Sequence, residues 1–82
     1  MKAHYSQRLL RIYAKEAPLE VQRAFDKQVK FLLADPHHPS LRAKKYDEAS
    51  GLWQARINRD WRFHFTIEGD TYHLVEMTTH PK

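Results

Sequence analysis

Apolar positions follow two different rhythms along this chain, one in each half. Over residues 5–16, Tyr5, Leu9, Ile12 and Tyr13 fall on one helical face while Gln7, Arg8, Arg11 and Lys15 fall elsewhere, the pattern of an amphipathic helix. The stretch Glu16-Ala17-Pro18 breaks it. Pro18 suits the first turn of a second helix, and Glu20 close behind favours the positive end of its dipole. That helix runs to about Ala34. Val21, Phe25, Val29, Leu32 and Leu33 make its buried stripe, and Gln22, Arg23, Asp26, Lys27 and Lys30 its wet face. Asp35-Pro36 stops it. So short a joint between two helices predicts an αα-hairpin.

From residue 51 onward the period becomes two. Trp53, Ala55 and Ile57 alternate with Gln54, Arg56 and Asn58, and after a polar turn Trp61, Phe63 and Phe65 alternate with Arg62 and His64. Two adjacent alternating runs rich in aromatics predict a β-hairpin. With the turn at Asn58-Arg59-Asp60, Ile57 pairs with Trp61, Ala55 faces Phe63 and Trp53 faces Phe65. All the apolar side chains then share one face, which a one-residue slip would destroy. The same register sets Arg56 directly opposite Arg62, and Gln54 opposite His64. Like charges directly opposite are destabilising, unless both splay into water or an anion lies between them.

The remaining segments fit around these two units. Residues 36–40, PHHPS, are a turn-rich connector. Residues 41–46, LRAKKY, are expected to be a short strand whose lysines suit a sheet edge. Residues 47–51 form a polar loop. Gly69-Asp70 fits a two-residue turn with glycine first, as type II′ requires, and residues 71–77 make a last strand before a tail over 78–82. The order α-α-β-β-β-β predicts one α+β domain spanning residues 1–82, with the helix pair on one face of a small antiparallel sheet.

Composition narrows the setting. A chain of 82 residues buries only about 60–65% of its unfolded surface, so its core is modest. With no cysteine, disulfides and thiolate metal sites are excluded. No apolar run approaches the roughly 18 residues that span a bilayer, and no signal-peptide core follows Met1. The expectation is a soluble, cytoplasmic protein without a membrane partner. The formal net charge is +4 and the pI about 9.6, which favours an acidic or polyanionic partner such as nucleic acid or an acidic protein.

Charge also changes how the polar face of the hairpin reads. Arg62 and His64, two apart on one strand, point the same way, with Arg56 and Gln54 alongside. Cleaving RNA by internal 2′-hydroxyl attack needs a base, an acid and cations on the crowded phosphorane. Histidine titrates in the useful range and guanidinium grips phosphate oxygens bidentately. Such a site uses no metal and no cofactor. The bland alternative is a solvated basic face. Arg42 and Lys44 share strand parity, so at most one of Lys44 and Lys45 joins the site face; edge protection is the alternative for both lysines. His37 and His38 lie between prolines with no further ligands at metal-binding spacing. His73 reads as a surface strand residue. His80, near the C-terminus, would by itself be read as mobile and inert. Trp53 and Trp61 are expected in the core rather than against bases.

The helix ending in LLADPHHPSL, then RAKKY, then GLWQARINRDWRFHF-x-IEGD and a histidine past the last strand together resemble the RelE/ParE superfamily of toxins from bacterial toxin–antitoxin pairs. The similarity runs from about Leu19 to His80 and is most specific in the hairpin with arginines at 56 and 62. It implies a helix hairpin against a curved antiparallel sheet, and a toxin held inactive by an acidic or amphipathic antitoxin. Many RelE-like members cleave messenger RNA, often on the ribosome, without metal. Carried over by position, Arg62 matches the arginine that holds the scissile phosphate and His80 a C-terminal general acid. Lys44 or Lys45 matches a catalytic or RNA-gripping lysine, and Arg56 a phosphate or structural contact. His64 has no assigned family role; beside Arg62 it is the candidate base.

Two departures stand out. Family members usually begin with a strand, and residues 1–4 leave almost no room for one, so it is expected to be short, missing or borrowed from a partner. No glutamate or tyrosine clearly takes a general-base position. A two-residue Gly69-Asp70 turn places Met77 opposite Arg62, whereas a three-residue turn is expected to bring Glu76 there. Besides the endoribonuclease reading, two others remain: a ParE-like toxin that inhibits DNA gyrase by binding, and an inactive module that binds an antitoxin.

Overall fold

In a computed structural model, which describes residues 1–80, the chain folds as β1 (Lys2–Tyr5), α1 (Gln7–Lys15), α2 (Leu19–Ala34), a 3-10 turn (Pro39–Leu41), β2 (Lys44–Asp47), β3 (Leu52–Arg56), β4 (Trp61–Glu68) and β5 (Thr71–Thr79). The α+β reading holds, with one correction: the sheet is mixed and not wholly antiparallel. The first strand is present and short. β1 lies parallel to β5, with Ala3 beside Tyr72 and His4 beside His73, so the sheet is mixed and runs β1-β5-β4-β3-β2. Tyr5 belongs to this strand rather than to α1. Four residues suffice because the main chain carries the pairing on at both ends, through Lys2 N–H to Asp70 O at 2.8 Å and Ser6 N–H to Leu74 O at 3.0 Å. The last two residues of the expected tail, 81 and 82, lie outside the described residues.

Ser6 starts α1. Its hydroxyl accepts from the Leu9 N–H at 3.0 Å, satisfying one of the helix's orphan donors, and donates to the Val75 carbonyl at 2.6 Å. Pro18 stands immediately before α2, and Asp35 ends it in an extended conformation, as the residue before a proline prefers.

The core forms between the helices and one face of the sheet. Val21, Phe25, Val29 and Leu32 from α2 and Leu9 from α1 meet Ala55, Ile57, Phe63, Phe65, Tyr72, Leu74 and Met77. Phe25 meets Phe63 edge-to-face at 5.3 Å. Trp53 and Trp61 are half-buried at the margin of this core. Leu33, expected in the α2 stripe, is instead 37% exposed, and its place is taken by Gln28, 5% exposed. Gln28 lies three residues after Phe25 and four before Leu32, on the same helical face.

The β3–β4 hairpin has the register that alternation predicts: Trp53 pairs with Phe65, Gln54 with His64, Ala55 with Phe63 and Arg56 with Arg62. The Gly69-Asp70 turn is also two residues long, since Glu68 pairs with Thr71. Gly69 takes φ +61° while Asp70 does not have positive φ, the pattern of a type II′ turn. The far end of β5 adopts neither of the two expected registers. Phe65 pairs with Leu74 but His64 pairs with Glu76, so Val75 is an extra residue, a β-bulge. Thr78 therefore stands opposite Arg62 and Met77 opposite Phe63.

Candidate functional site

The face of the sheet turned away from the core carries Arg56, Arg62, Gln54 and His64 on the hairpin, Thr78 and Glu76 on β5, and Lys44 on β2, which pairs with Gln54. At one end of this face a cleft of about 250 Å³ is lined by Arg42, Lys44, Gln54, Ala55, Arg56, Arg62 and His80. Five of the seven residues singled out from sequence thus meet in one place.

Each reaches the cleft for a separate reason. Arg56 and Arg62 are brought together by the hairpin register. Lys44 follows from strand parity. Arg42 lies outside β2, contrary to the expected strand over 41–46, because Leu41 is buried as the end of the 3-10 turn. Arg42 follows it in the left-handed region, φ 46°, where a residue other than glycine is uncommon and strained. His80 is fixed by its backbone: its N–H donates to the Asp60 carbonyl at 2.6 Å, which ties the end of the chain to the β3–β4 turn. A terminal histidine read as inert in isolation is therefore held beside the arginines.

Gln28 supports this arrangement from beneath. Its amide donates to the Arg56 carbonyl at 2.7 Å and the Ser40 carbonyl at 3.0 Å, and its oxygen accepts from the Ser40 hydroxyl at 3.1 Å. One buried side chain so joins α2, the segment leading to Arg42, and the end of β3. Sequence reading missed it, although its helical phase marked it as inward.

The cleft is strongly cationic. Arg62 turns one guanidinium nitrogen, Nη1, to the hairpin turn, donating to the Asn58 carbonyl at 2.7 Å and the Trp61 carbonyl at 2.9 Å. Partial burial lowers the Arg62 pKa, and the charges of Arg56 and Arg42 lower it further, with Asp60 opposing. Among the described residues none of these three guanidiniums lies within ion-pair distance of a carboxylate. Three crowded cations, with Arg62 engaged through Nη1 alone and no side-chain hydrogen bond from Arg42 or Arg56 among the described residues, form a site that an oxyanion would relieve.

The other two predicted residues go elsewhere. Lys45 points to the opposite face, its ammonium 4.9 Å from the Trp53 ring centre. His64 is on the expected face but not in the cleft. It is 6% exposed, lies under the Tyr46 ring at 4.8 Å, and neither ring nitrogen has a hydrogen-bond partner among the described residues. Glu76 approaches its Nδ1 at 3.6 Å and is itself paired with Arg8 at 3.3 Å. Burial lowers the His64 pKa and Glu76 only partly offsets this. Parity alone could not show that Tyr46 would cover the ring. Of the connector histidines, His38 has a structural role. Its Nδ1 accepts from the Ser40 N–H at 3.2 Å, and its ring stacks on Phe31 at 3.9 Å. Among the described residues no group of three or more His, Cys, Asp or Glu side chains is arranged to hold a metal ion, and no helix is long and apolar enough to cross a membrane.

No family model and no curated protein matches this sequence. Solved structures do match the fold. A YoeB/ParE toxin from Agrobacterium tumefaciens superposes with a TM-score of 0.81 at 14% identity, covering 99% of this chain and 100% of that one. The matching chain in an archaeal RelE–RelB complex from Pyrococcus horikoshii gives 0.79 at 13% identity, covering 95% and 92%. The matching chain in a heterotetrameric YoeB–YefM toxin–antitoxin complex from Staphylococcus aureus gives 0.78 at 13%, covering 99% and 98%. The chain has the fold of the RelE/ParE superfamily toxins.

Proposed function

We propose that this protein is the toxin of a toxin–antitoxin pair and acts as a metal-independent endoribonuclease on messenger RNA. The observation that carries the reading is the convergence of Arg42, Lys44, Arg56, Arg62 and His80 on one small cleft. Support for the toxin half comes from the fold shared with YoeB and RelE, and support for an antitoxin partner from the neighbours solved as RelE–RelB and YoeB–YefM complexes.

A scissile phosphate seated between Arg56, Arg62 and Arg42 meets forked donors on several sides. These are strongest where negative charge develops, on the non-bridging oxygens of the phosphorane. His80 at the cleft wall protonates the departing 5′-oxygen. Lys44 holds an adjacent phosphate. His64 is not assigned the base, because Tyr46 and its strand neighbours cover both ring nitrogens. No carboxylate lines the described cleft wall, so the 2′-hydroxyl proton passes to solvent or to a phosphate oxygen as the cations stabilise the attacking oxyanion. The inactive-module reading depends on a missing first strand, and β1 removes that ground.

Purified protein incubated with messenger RNA tests this. The expected products carry 2′,3′-cyclic phosphate ends, form equally in the presence of a chelator, and are lost with His80→Ala and with Arg62→Ala while the variants stay folded. A strict requirement for added Mg²⁺, or undiminished growth arrest by both folded variants in a bacterial host, would overturn it. A gyrase supercoiling assay run alongside identifies a ParE-like activity if cleavage is absent.

A further inference from the structure

We propose that Tyr46 is a stacking platform for the nucleobase next to the phosphate in the cationic cleft. The inference rests on the RNA reading above and names a contact that reading does not include.

Tyr46 is 59% exposed. Tyr5 is the other exposed tyrosine among the described residues, and it leans on Phe25 at the helix side. Tyr46 thus stands as the exposed large aromatic on the cleft face. Its orientation is built rather than accidental. In β2, Lys45 pairs with Trp53 and Asp47 with Leu52, and Tyr46 lies between them at a register shift. Strand alternation sets the two faces: Lys45, opposite Trp53, turns down onto its ring, and Tyr46 follows Lys44 onto the opposite face, over His64.

The ring has one seated side and one open side. Its inner side rests on His64 at 4.8 Å with an interplanar angle of 47°. With both nitrogens buried and unpartnered, His64 acts as an aromatic floor that restrains the tyrosine. The outer side meets solvent.

Spacing matches a nucleotide. His64 lies two residues along β4 from Arg62, roughly 7 Å at the rise of a strand, and Lys44, two residues from Tyr46, lines the cleft itself. A phosphate held by Arg56 and Arg62 therefore leaves its neighbouring base within reach of the Tyr46 ring. Single-stranded RNA is recognised in this way, by a cationic track for the backbone and an aromatic face for an unstacked base. A π-face accepts every base, so the platform adds affinity and register rather than sequence choice.

The test is fluorescence anisotropy with a labelled 2′-O-methyl-RNA heptamer of mixed sequence, which cannot be cleaved by 2′-hydroxyl attack, and with an abasic oligomer of the same backbone. Tyr46→Phe is expected to bind the heptamer as wild type does. Tyr46→Leu, which still covers His64 but has no π-face, is expected to bind it roughly tenfold more weakly. On the abasic oligomer all three are expected to bind alike, and Arg62→Ala to bind both probes poorly. Wild-type affinity of Tyr46→Leu for the heptamer, or an equal loss on both probes, would overturn the platform while leaving the nuclease reading intact. Failure of the wild type to bind either probe would overturn both.

Discussion

Arg56 and Arg62 stand directly opposite each other on adjacent antiparallel strands, with no carboxylate between them among the described residues. Cross-strand repulsion of this kind costs a few tenths to about 1 kcal/mol, and it is compensated when an anion binds. Arg56→Thr is therefore expected to raise folding stability by up to about 1 kcal/mol in urea denaturation. The same variant is expected to weaken RNA binding and to flatten its salt dependence, with a log–log slope smaller by about 0.7 for the lost phosphate contact. A destabilised variant with unchanged salt slope would remove the anion from the explanation.

On the proposed nuclease reading, Arg62 carries the larger share of the charge stabilisation, because its Nη1 is anchored to the hairpin turn. Arg62→Ala is expected to slow cleavage by about 10²–10³-fold, the usual effect of removing one preorganised charge-stabilising donor. Single-turnover kinetics at saturating enzyme separate this from weaker binding.

Arg42 separates stability from function. Its left-handed backbone costs a residue with a side chain about 1–2 kcal/mol, which glycine avoids. Arg42→Gly is expected to leave the unfolding midpoint unchanged or raised while RNA affinity falls. Thermal unfolding and anisotropy on the same preparation give both readouts.

Gln28→Leu removes the amide that satisfies two backbone carbonyls in a buried setting. The expected loss is about 1–3 kcal/mol for each group left without a partner, together with reduced cleavage as the Arg42 and Arg56 segments loosen. Urea denaturation measures the first and an RNA cleavage time course the second.

His64 makes stability depend on pH. Its folded pKa lies below the ordinary 6.5, so between the two values the unfolded chain binds more protons and stability falls as pH falls. The loss begins as pH drops through 6.5 and is complete below the folded pKa. Glu76, held by Arg8, opposes the effect. Urea midpoints taken between about pH 8 and 5 are expected to decline in wild type and to decline less in His64→Phe.

The hairpin was legible in sequence because alternation over two long runs, with a core on one side, leaves a single register. β1 was not, since four residues cannot display a period, and its pairing is fixed by backbone bonds at its two ends. The shift within β5 leaves no mark in residue type. Covering of His64 depends on a contact between β2 and β4 that local parity does not encode. Of the five candidate site residues that meet in the cleft, Lys44, Arg56 and Arg62 share a face by strand parity, whereas Arg42 is set there by the 3-10 turn and His80 by its bond to Asp60.

Val75 sets the phase of the chain's last stretch. Before it, Tyr72 and Leu74 point to the helices; after it, Met77 does, and Thr78 and His80 fall on the cleft side. Were Val75 paired in regular register with His64 instead of bulged, Glu76 would stand opposite Phe63 on the core face and His80 would turn toward the helices. The Ser6 hydroxyl that caps α1 also holds the Val75 carbonyl. The start of the first helix and the delivery of the last histidine are thus set by one side chain, 69 positions from the residue it holds.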